Sequence, residues 1–280
     1  MLQSRAVSVF RPNAVLQRTR LLSGEAGVRG ALYRSEIRLE NAPRQVAPGQ
    51  FFMVRASGGG SDPLLPRALS ALDYDPRRGV LHVCYRLYGA GTAALAARKP
   101  GERLEVHGPY GNGFDLSEPQ KKQTIVLVGG GVGVPPLYLL AKELSKKHEV
   151  LLFQGAKAAA ELLLVPDFRR LGVKVHVATD DGSKGFSGRV GELLGEHLSK
   201  LAALRPAPII YVCGPHPMMK DVAARSKAAG LVCRVSLEEK MACATGICLG
   251  CVVLTEKAGA KKYVPSCTQG PVFDACEVVW

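Results

Sequence analysis

Two textures of apolar and polar positions divide the chain. Up to about residue 118, short runs rich in aromatic and β-branched residues alternate with turn clusters. Residues 50–55 (QFFMVR) and 80–87 (VLHVCYRL) are such runs, and 108–113 (GPYGNG) is such a cluster. This punctuation predicts short antiparallel strands closing into a small barrel. From Thr124 the period lengthens. Strands are predicted at 124–128, 150–154, 173–178, 209–213 and 232–236. Between them lie helical stripes, with Leu137, Leu140, Ala141 and Leu144 on one face and Val190, Leu193, Leu194, His197, Leu198 and Leu201 on another. Strands alternating with amphipathic helices predict a doubly wound parallel sheet covered on both faces. His197 falls on an apolar stripe and reads as a packed histidine. After Ser236 both periods stop, and a cysteine-rich tail runs to Trp280. The chain has no internal repeat and no low-complexity tract.

Composition sharpens this picture in three places. With 280 residues and 47% hydrophobic content, the chain can build two cores and an appendage, which excludes a mostly disordered protein. The formal charge of +13 is partly local: residues 1–44 hold eight Arg against three Glu. Residues 1–23 carry four of those Arg and no acid, and read as a basic tail before the first strand rather than as a transit peptide. No stripe of aromatics interleaves with Lys and Arg, so a nucleic-acid role is not expected. The uncharged run 124–141 is long enough for a membrane span. Its four Gly and two Pro instead predict a strand, a loop and a new helix, so no span is expected. Eight cysteines without an opening secretory segment point to a reducing compartment, read as cytoplasmic.

Four of those cysteines share a pattern. Cys243, Cys248 and Cys251 follow C-x4-C-x2-C, and 15 residues separate Cys251 from Cys267. The first three match the plant-type loop around a [2Fe–2S] cluster. Gly246 and Gly250 let the backbone curl with its N–H groups pointing inward, and Ala242, Ala244 and Thr245 are small enough to leave room. The alternatives are structural zinc, which favours paired C-x2-C knuckles, and disulfides, which the compartment disfavours. Cys84 and Cys233 sit in apolar strand patterns and read as buried packing residues. Cys276 has no assignment.

Three segments follow predicted strand ends, where ligands bind open α/β sheets. Gly131-x-Gly133-x-x-Pro136 follows strand 124–128 and opens a helix, so a pyrophosphate can approach its backbone. Thr179-Asp180-Asp181-Gly182-Ser183 supplies carboxylates for ribose hydroxyls, which favours NAD over NADP. Cys213-Gly214-Pro215 is the third. In the barrel region, Arg67-Ala68-Leu69-Ser70 and Tyr88-Gly89-Ala90-Gly91-Thr92 offer a guanidinium, hydroxyls and a Gly-Thr turn suited to a diphosphate. Either segment can also be read as an ordinary barrel edge or hairpin.

Taken together, Pro48-Gly49-Gln50-Phe51, Arg67-x-x-Ser70, Gly89-x-Gly91-Thr92, the Gly129–Pro136 turn and Cys213-Gly214-Pro215 resemble the ferredoxin–NADP reductase superfamily. Residues 236–251, Cys267 and Gly270-Pro271-Val272-Phe273 resemble one family within it, the electron-transfer subunits of type B, NAD-dependent dihydroorotate dehydrogenases. The resemblance spans roughly residues 25–280. It implies an FAD-binding barrel over 24–118, an NAD-binding α/β domain over 119–235 and a [2Fe–2S] subdomain over 236–280. It implies FAD at Arg67, Ala68, Leu69, Ser70, Tyr88, Gly91 and Thr92. The nicotinamide nucleotide falls near Gly131, Gly133, Asp181, Cys213 and Gly214, and the cluster on Cys243, Cys248, Cys251 and Cys267. It further implies a separate FMN-containing subunit that oxidises dihydroorotate in pyrimidine biosynthesis, joined in a heterotetramer, with electrons passing from that FMN through the cluster and FAD to NAD. No catalytic acid or base for dihydroorotate is expected in this chain. Two departures stand out. Ala68 replaces a usual Pro, and Thr268-Gln269 replaces an expected charged pair. The rival readings are a subunit of another flavin and iron–sulfur oxidoreductase (a sulfide dehydrogenase or an NADPH:ferredoxin oxidoreductase) and a zinc-stabilised nucleotide-binding module.

Overall fold

The computed structural model describes residues 14–56 and 63–280. The first texture folds as β1 (Ala14–Ser23), β2 (Leu32–Arg38), β3 (Phe51–Arg55), β4 (Arg67–Asp75), β5 (Val80–Arg86), helix α1 (Ala90–Ala96) and β6 (Arg103–Tyr110). The strands close a barrel in the order β1-β2-β5-β4-β3-β6. Strand β1 corrects the expected start of this unit at residue 24. Ala14 and Leu16 point into the barrel core, and a bulge between Leu16 and Arg18 then switches the face, so that Arg18 and Arg20 point to solvent and an Arg-rich stretch serves as a barrel strand. The rest of the expected basic tail, residues 1–13, lies outside the described residues. The barrel is filled by Leu16, Ile37, Phe52, Leu81, Val83, Leu104 and their neighbours, all essentially inaccessible to solvent.

The second texture gives β7 (Thr124–Gly130), α2 (Pro135–Leu144), β8 (Glu149–Ala156), α3 (Val165–Arg170), β9 (Lys174–Thr179), β10 (Phe186–Ser187), α4 (Val190–Ala202), β11 (Ile209–Cys213), α5 (His216–Ala228) and β12 (Val232–Ser236). All the expected strands and both apolar helical stripes are present. The helices α4 and α5 cover one face of the sheet, and α2 and α3 cover the other. His197 packs edge-on to Phe153 at 5.1 Å, as a half-buried side chain of the α4 stripe.

The tail contributes the hairpin β13 (Val252–Lys257) and β14 (Ala260–Pro265), the single turn α6 (Ser266–Gln269) and β15 (Val272–Asp274). Strand β15 pairs antiparallel with β12, so the sheet runs β10-β9-β8-β7-β11-β12-β15 and is not wholly parallel. The tail thus returns to cover what would be a bare sheet edge. The guanidinium of Arg234 fastens it, reaching both Asp274 and Glu118.

The three parts interlock. Lys142 on α2 pairs with Asp73 on β4 at 2.8 Å. Beyond β6, the Asn112 side-chain amide donates to the carbonyls of Thr268 and Gln269 at 3.2 Å. The 108–113 turn cluster therefore clamps the cysteine tail to the barrel. No helix among the described residues is long and apolar enough to cross a membrane.

Candidate functional site

A cavity of about 640 Å³ opens where barrel, sheet and tail meet. Its size falls in the usual range for small-molecule sites. Arg67, Ala68, Leu69 and Ser70 line it from β4, and Tyr88 and Thr92 line it from the turn before α1 and from α1 itself. Arg67 opens β4, where its backbone pairs with Val54. Its guanidinium donates to the Leu65 carbonyl at 2.7 Å and crowds Gly91, where any Cβ would overlap it. A side chain at residue 91 would push the end of the Arg67 side chain aside, so the two residues make one surface. The Thr92 hydroxyl accepts from the N–H groups of Tyr88 at 2.9 Å and Gly89 at 3.2 Å, which closes the turn that begins α1. A cationic fork beside a Gly-Thr turn is a built receptor for a diphosphate, so these residues fit FAD.

The opposite wall comes from Val132, Pro135 and Pro136 of the glycine turn and from residues 236–241 of the tail. Sequence reading overlooked this second set, along with Arg86 on β5. Gly133 does not line the cavity. It packs so closely on the Cys213 carbonyl that a Cβ would overlap it, which fixes the ends of β7 and β11 side by side. Gly131, at φ +53°, would bring a Cβ into ordinary contact with the Arg86 guanidinium at 3.7 Å. Gly214 abuts Gly130 and Met218. Asp181 is exposed at the end of β9, and its carboxylate accepts from the Ser183 N–H at 2.9 Å and from the Ser183 hydroxyl. Those two bonds hold its pKa below the usual carboxylate range. The five expected nucleotide residues therefore gather at one sheet edge, but in two groups. Gly131, Gly133, Cys213 and Gly214 lie at the β7–β11 ends, and Asp181 lies beyond β8.

The Cys213 thiol is fully buried behind Glu238, which lines the cavity. Burial and the nearby Glu238 carboxyl push its pKa well up, and its Sγ lies 4.0 Å from Glu238 Oε1. Glu238 keeps an accessible face that lines the cavity, while the protein packed around it raises its pKa. Only a long-range contact reveals Glu238. In the sequence it is one of two adjacent acids.

The tail that lines the cavity also carries the four cysteines. All eight cysteines of the chain are free thiols. The loop from Ala242 to Cys251 winds through left-handed backbone at Ala244, Gly246 and Leu249. Cys243 Sγ accepts from the N–H groups of Thr245 at 3.4 Å and Cys248 at 3.5 Å, and Cys248 Sγ accepts from the Gly250 N–H at 3.5 Å. Partial burial of Cys243 opposes its ionisation, but the Thr245 hydroxyl and these N–H groups outweigh it and lower its pKa. Cys251 and Cys267 lie against Phe51, Met53 and Ala244 at the barrel wall. Burial, reinforced by Cys251, raises the Cys267 pKa. No three His, Cys, Asp or Glu side chains among the described residues converge as on one metal ion. Four free thiols on one tail, two of them accepting backbone N–H groups, fit a two-iron centre, in which four thiolates are shared between the irons.

Comparison with known proteins follows the same division. Residues 238–279 match the iron-sulfur cluster binding domain of dihydroorotate dehydrogenase B. Residues 127–224 match the oxidoreductase NAD-binding domain. The dihydroorotate dehydrogenase B (NAD+) electron transfer subunit of Desulforamulus reducens is 38% identical over 249 residues, covering 89% of this chain and 92% of that protein. The subunit of the same name from Geobacillus kaustophilus is 40% identical over 233 residues, covering 83% and 86%. Among solved structures, an NADH-dependent reduced ferredoxin–NADP oxidoreductase covers all of this chain and 92% of its own with a TM-score of 0.77 at 26% identity.

Proposed function

The chain belongs to the family of electron transfer subunits of NAD-dependent dihydroorotate dehydrogenase B, and on that premise we propose how its residues do the work. It is an oxidoreductase subunit that moves electrons between a catalytic partner subunit and NAD, with FAD and a [2Fe–2S] cluster as resident cofactors. The partner oxidises dihydroorotate in pyrimidine biosynthesis. In the proposed assembly that partner holds FMN, and the two chains form a cytoplasmic heterotetramer.

One observation carries this reading. Residues 236–241 line the cavity and lead directly into Cys243, so one short segment touches both cofactor sites. When bound, the cluster supplies one-electron transfer and the flavin exchanges electron pairs with the nicotinamide. The chain's own residues set the stage. Arg67 grips the flavin diphosphate, with Gly91 and Thr92 shaping the turn beside it, while Ala68, Leu69, Ser70 and Tyr88 form the wall. Gly131 leaves room for the nucleotide's backbone approach, and Gly133, Cys213 and Gly214 hold the floor. Asp181 faces the ribose. Cys213 keeps its proton on Sγ, so the end of β11 adds no thiolate charge beside Glu238. Cys243, Cys248, Cys251 and Cys267 ligate the cluster. The working units are then the barrel up to residue 118, the sheet over 119–235 and the tail over 236–280, with β15 shared across the last boundary.

This chain holds no assigned acid or base for dihydroorotate, so the isolated protein is expected to oxidise NADH with an artificial acceptor but not to reduce NAD with dihydroorotate. Anaerobic assays at 340 nm check this. Dihydroorotate-dependent NAD reduction without a partner would contradict the assignment.

A further inference from the structure

The four proposed cluster thiols are served unequally by hydrogen-bond donors. Cys243 receives two backbone N–H groups and faces the Thr245 hydroxyl, and Cys248 receives the Gly250 N–H. These two are the more accessible pair. Cys251 and Cys267 are 2% and 1% exposed. The backbone donor facing that buried pair is the Gly246 N–H, directed at Cys267.

Ser266 stands between the two buried cysteines. It is peptide-bonded to Cys267, and its N–H donates to the Cys251 carbonyl at 3.0 Å. Its side chain is fully buried, and its Oγ has no hydrogen-bond partner in the protein. A buried hydroxyl left in that state is costly, and such groups ordinarily find a partner. Apolar side chains pack around Cys251 and Cys267, those of Phe51, Met53 and Ala244, with Tyr110 at the margin of the cluster. A thiolate-ligated cluster is rich in acceptor sulfur and gains negative charge when it takes up an electron. A donor placed there stabilises the reduced form more than the oxidised one.

We propose that the Ser266 hydroxyl donates a hydrogen bond to a sulfur of the centre held by Cys251 and Cys267, and that this bond raises the centre's reduction potential. Ser266 is a positioning and tuning residue, not a ligand. The proposal rests on the assignment of the four cysteines to a cluster.

The test is an anaerobic titration of the full-length, cofactor-loaded protein with dithionite as the electron donor, followed by electron paramagnetic resonance. At the potential that half-reduces the wild-type centre, Ser266→Ala is expected to show a reduced-to-oxidised ratio about tenfold lower, a midpoint shift of about 59 mV to the negative for a one-electron couple. Ser266→Thr keeps the hydroxyl and is expected to titrate as wild type. An unchanged midpoint in Ser266→Ala, with full iron content, overturns the proposal. So does an equal shift in the Thr variant, because packing would then be the cause. Should the Ala chain take up no iron, Ser266→Gly, which also lacks the hydroxyl, replaces it. Iron loss in both, with wild-type behaviour in Ser266→Thr, supports a required hydroxyl. A wild-type protein with no iron–sulfur signal refutes the cysteine assignment instead, which keeps the two failures apart.

Discussion

Cys267→Ala is expected to cut dihydroorotate-dependent NAD reduction by the assembled enzyme at least about 100-fold, beyond the loss typical of changing a residue that only supports a metal ligand. Cys267 stands apart from the other three ligands in sequence and reaches them through the β13–β14 hairpin and α6. Its side chain is buried against Cys251. Its removal leaves a three-thiolate site in an apolar wall, where a two-iron centre lacks one of its four ligands. The cavity lined by Arg67 and Tyr88 does not include Cys267, so NADH oxidation with ferricyanide is expected to stay within about twofold of wild type. The paired assays are the measurement. Loss of both activities would mean that the tail is structural, and loss of neither would remove Cys267 from the electron path.

Arg67→Ala is expected to empty the flavin site. A hydrogen bond to a charged group is worth about 1.5–3 kcal/mol, which weakens FAD binding by about 10- to 150-fold. The guanidinium is held in place before any ligand arrives, by the Leu65 carbonyl on one side and Gly91 on the other. The loss is therefore one of a preorganised contact rather than of a mobile side chain. Flavin retained through gel filtration, read by absorbance, measures it. Iron content is expected to be unchanged, because none of the four thiols lines the cavity that Arg67 lines. A variant that keeps its full flavin would move the diphosphate site away from Arg67.

The cysteine spacing, the strand positions and the α2 and α4 stripes were legible in the sequence because each is a local pattern. The features it hid are contacts between distant segments. Residues 89–96 are rich in Gly and Ala and resemble a hairpin, yet Thr92 turns back on Tyr88 and Gly89 and starts a helix. Arg18 and Arg20 suggest a loose tail because simple alternation would put them on the buried face of Ala14 and Leu16; the bulge after Leu16 that turns them to solvent has no signal in the sequence. Strand β15 is three residues long, and its pairing with β12 is set by an open sheet edge, not by its own sequence. Gly133 was read as room for a phosphate, and its packing on the Cys213 carbonyl emerged only from the fold. Nothing in the string SCTQ announces that Ser266 is buried without a partner.

The cysteine spacing separates the readings of the metal centre. A structural zinc site favours paired C-x2-C knuckles, whereas C-x4-C-x2-C matches the plant-type loop around a two-iron cluster. Direct analysis of the metal in protein purified without oxygen tests the central claim. Iron and acid-labile sulfide in equal amounts, with a paramagnetic signal appearing on reduction alongside bound FAD, is the predicted result. A colourless protein carrying stoichiometric zinc would contradict it.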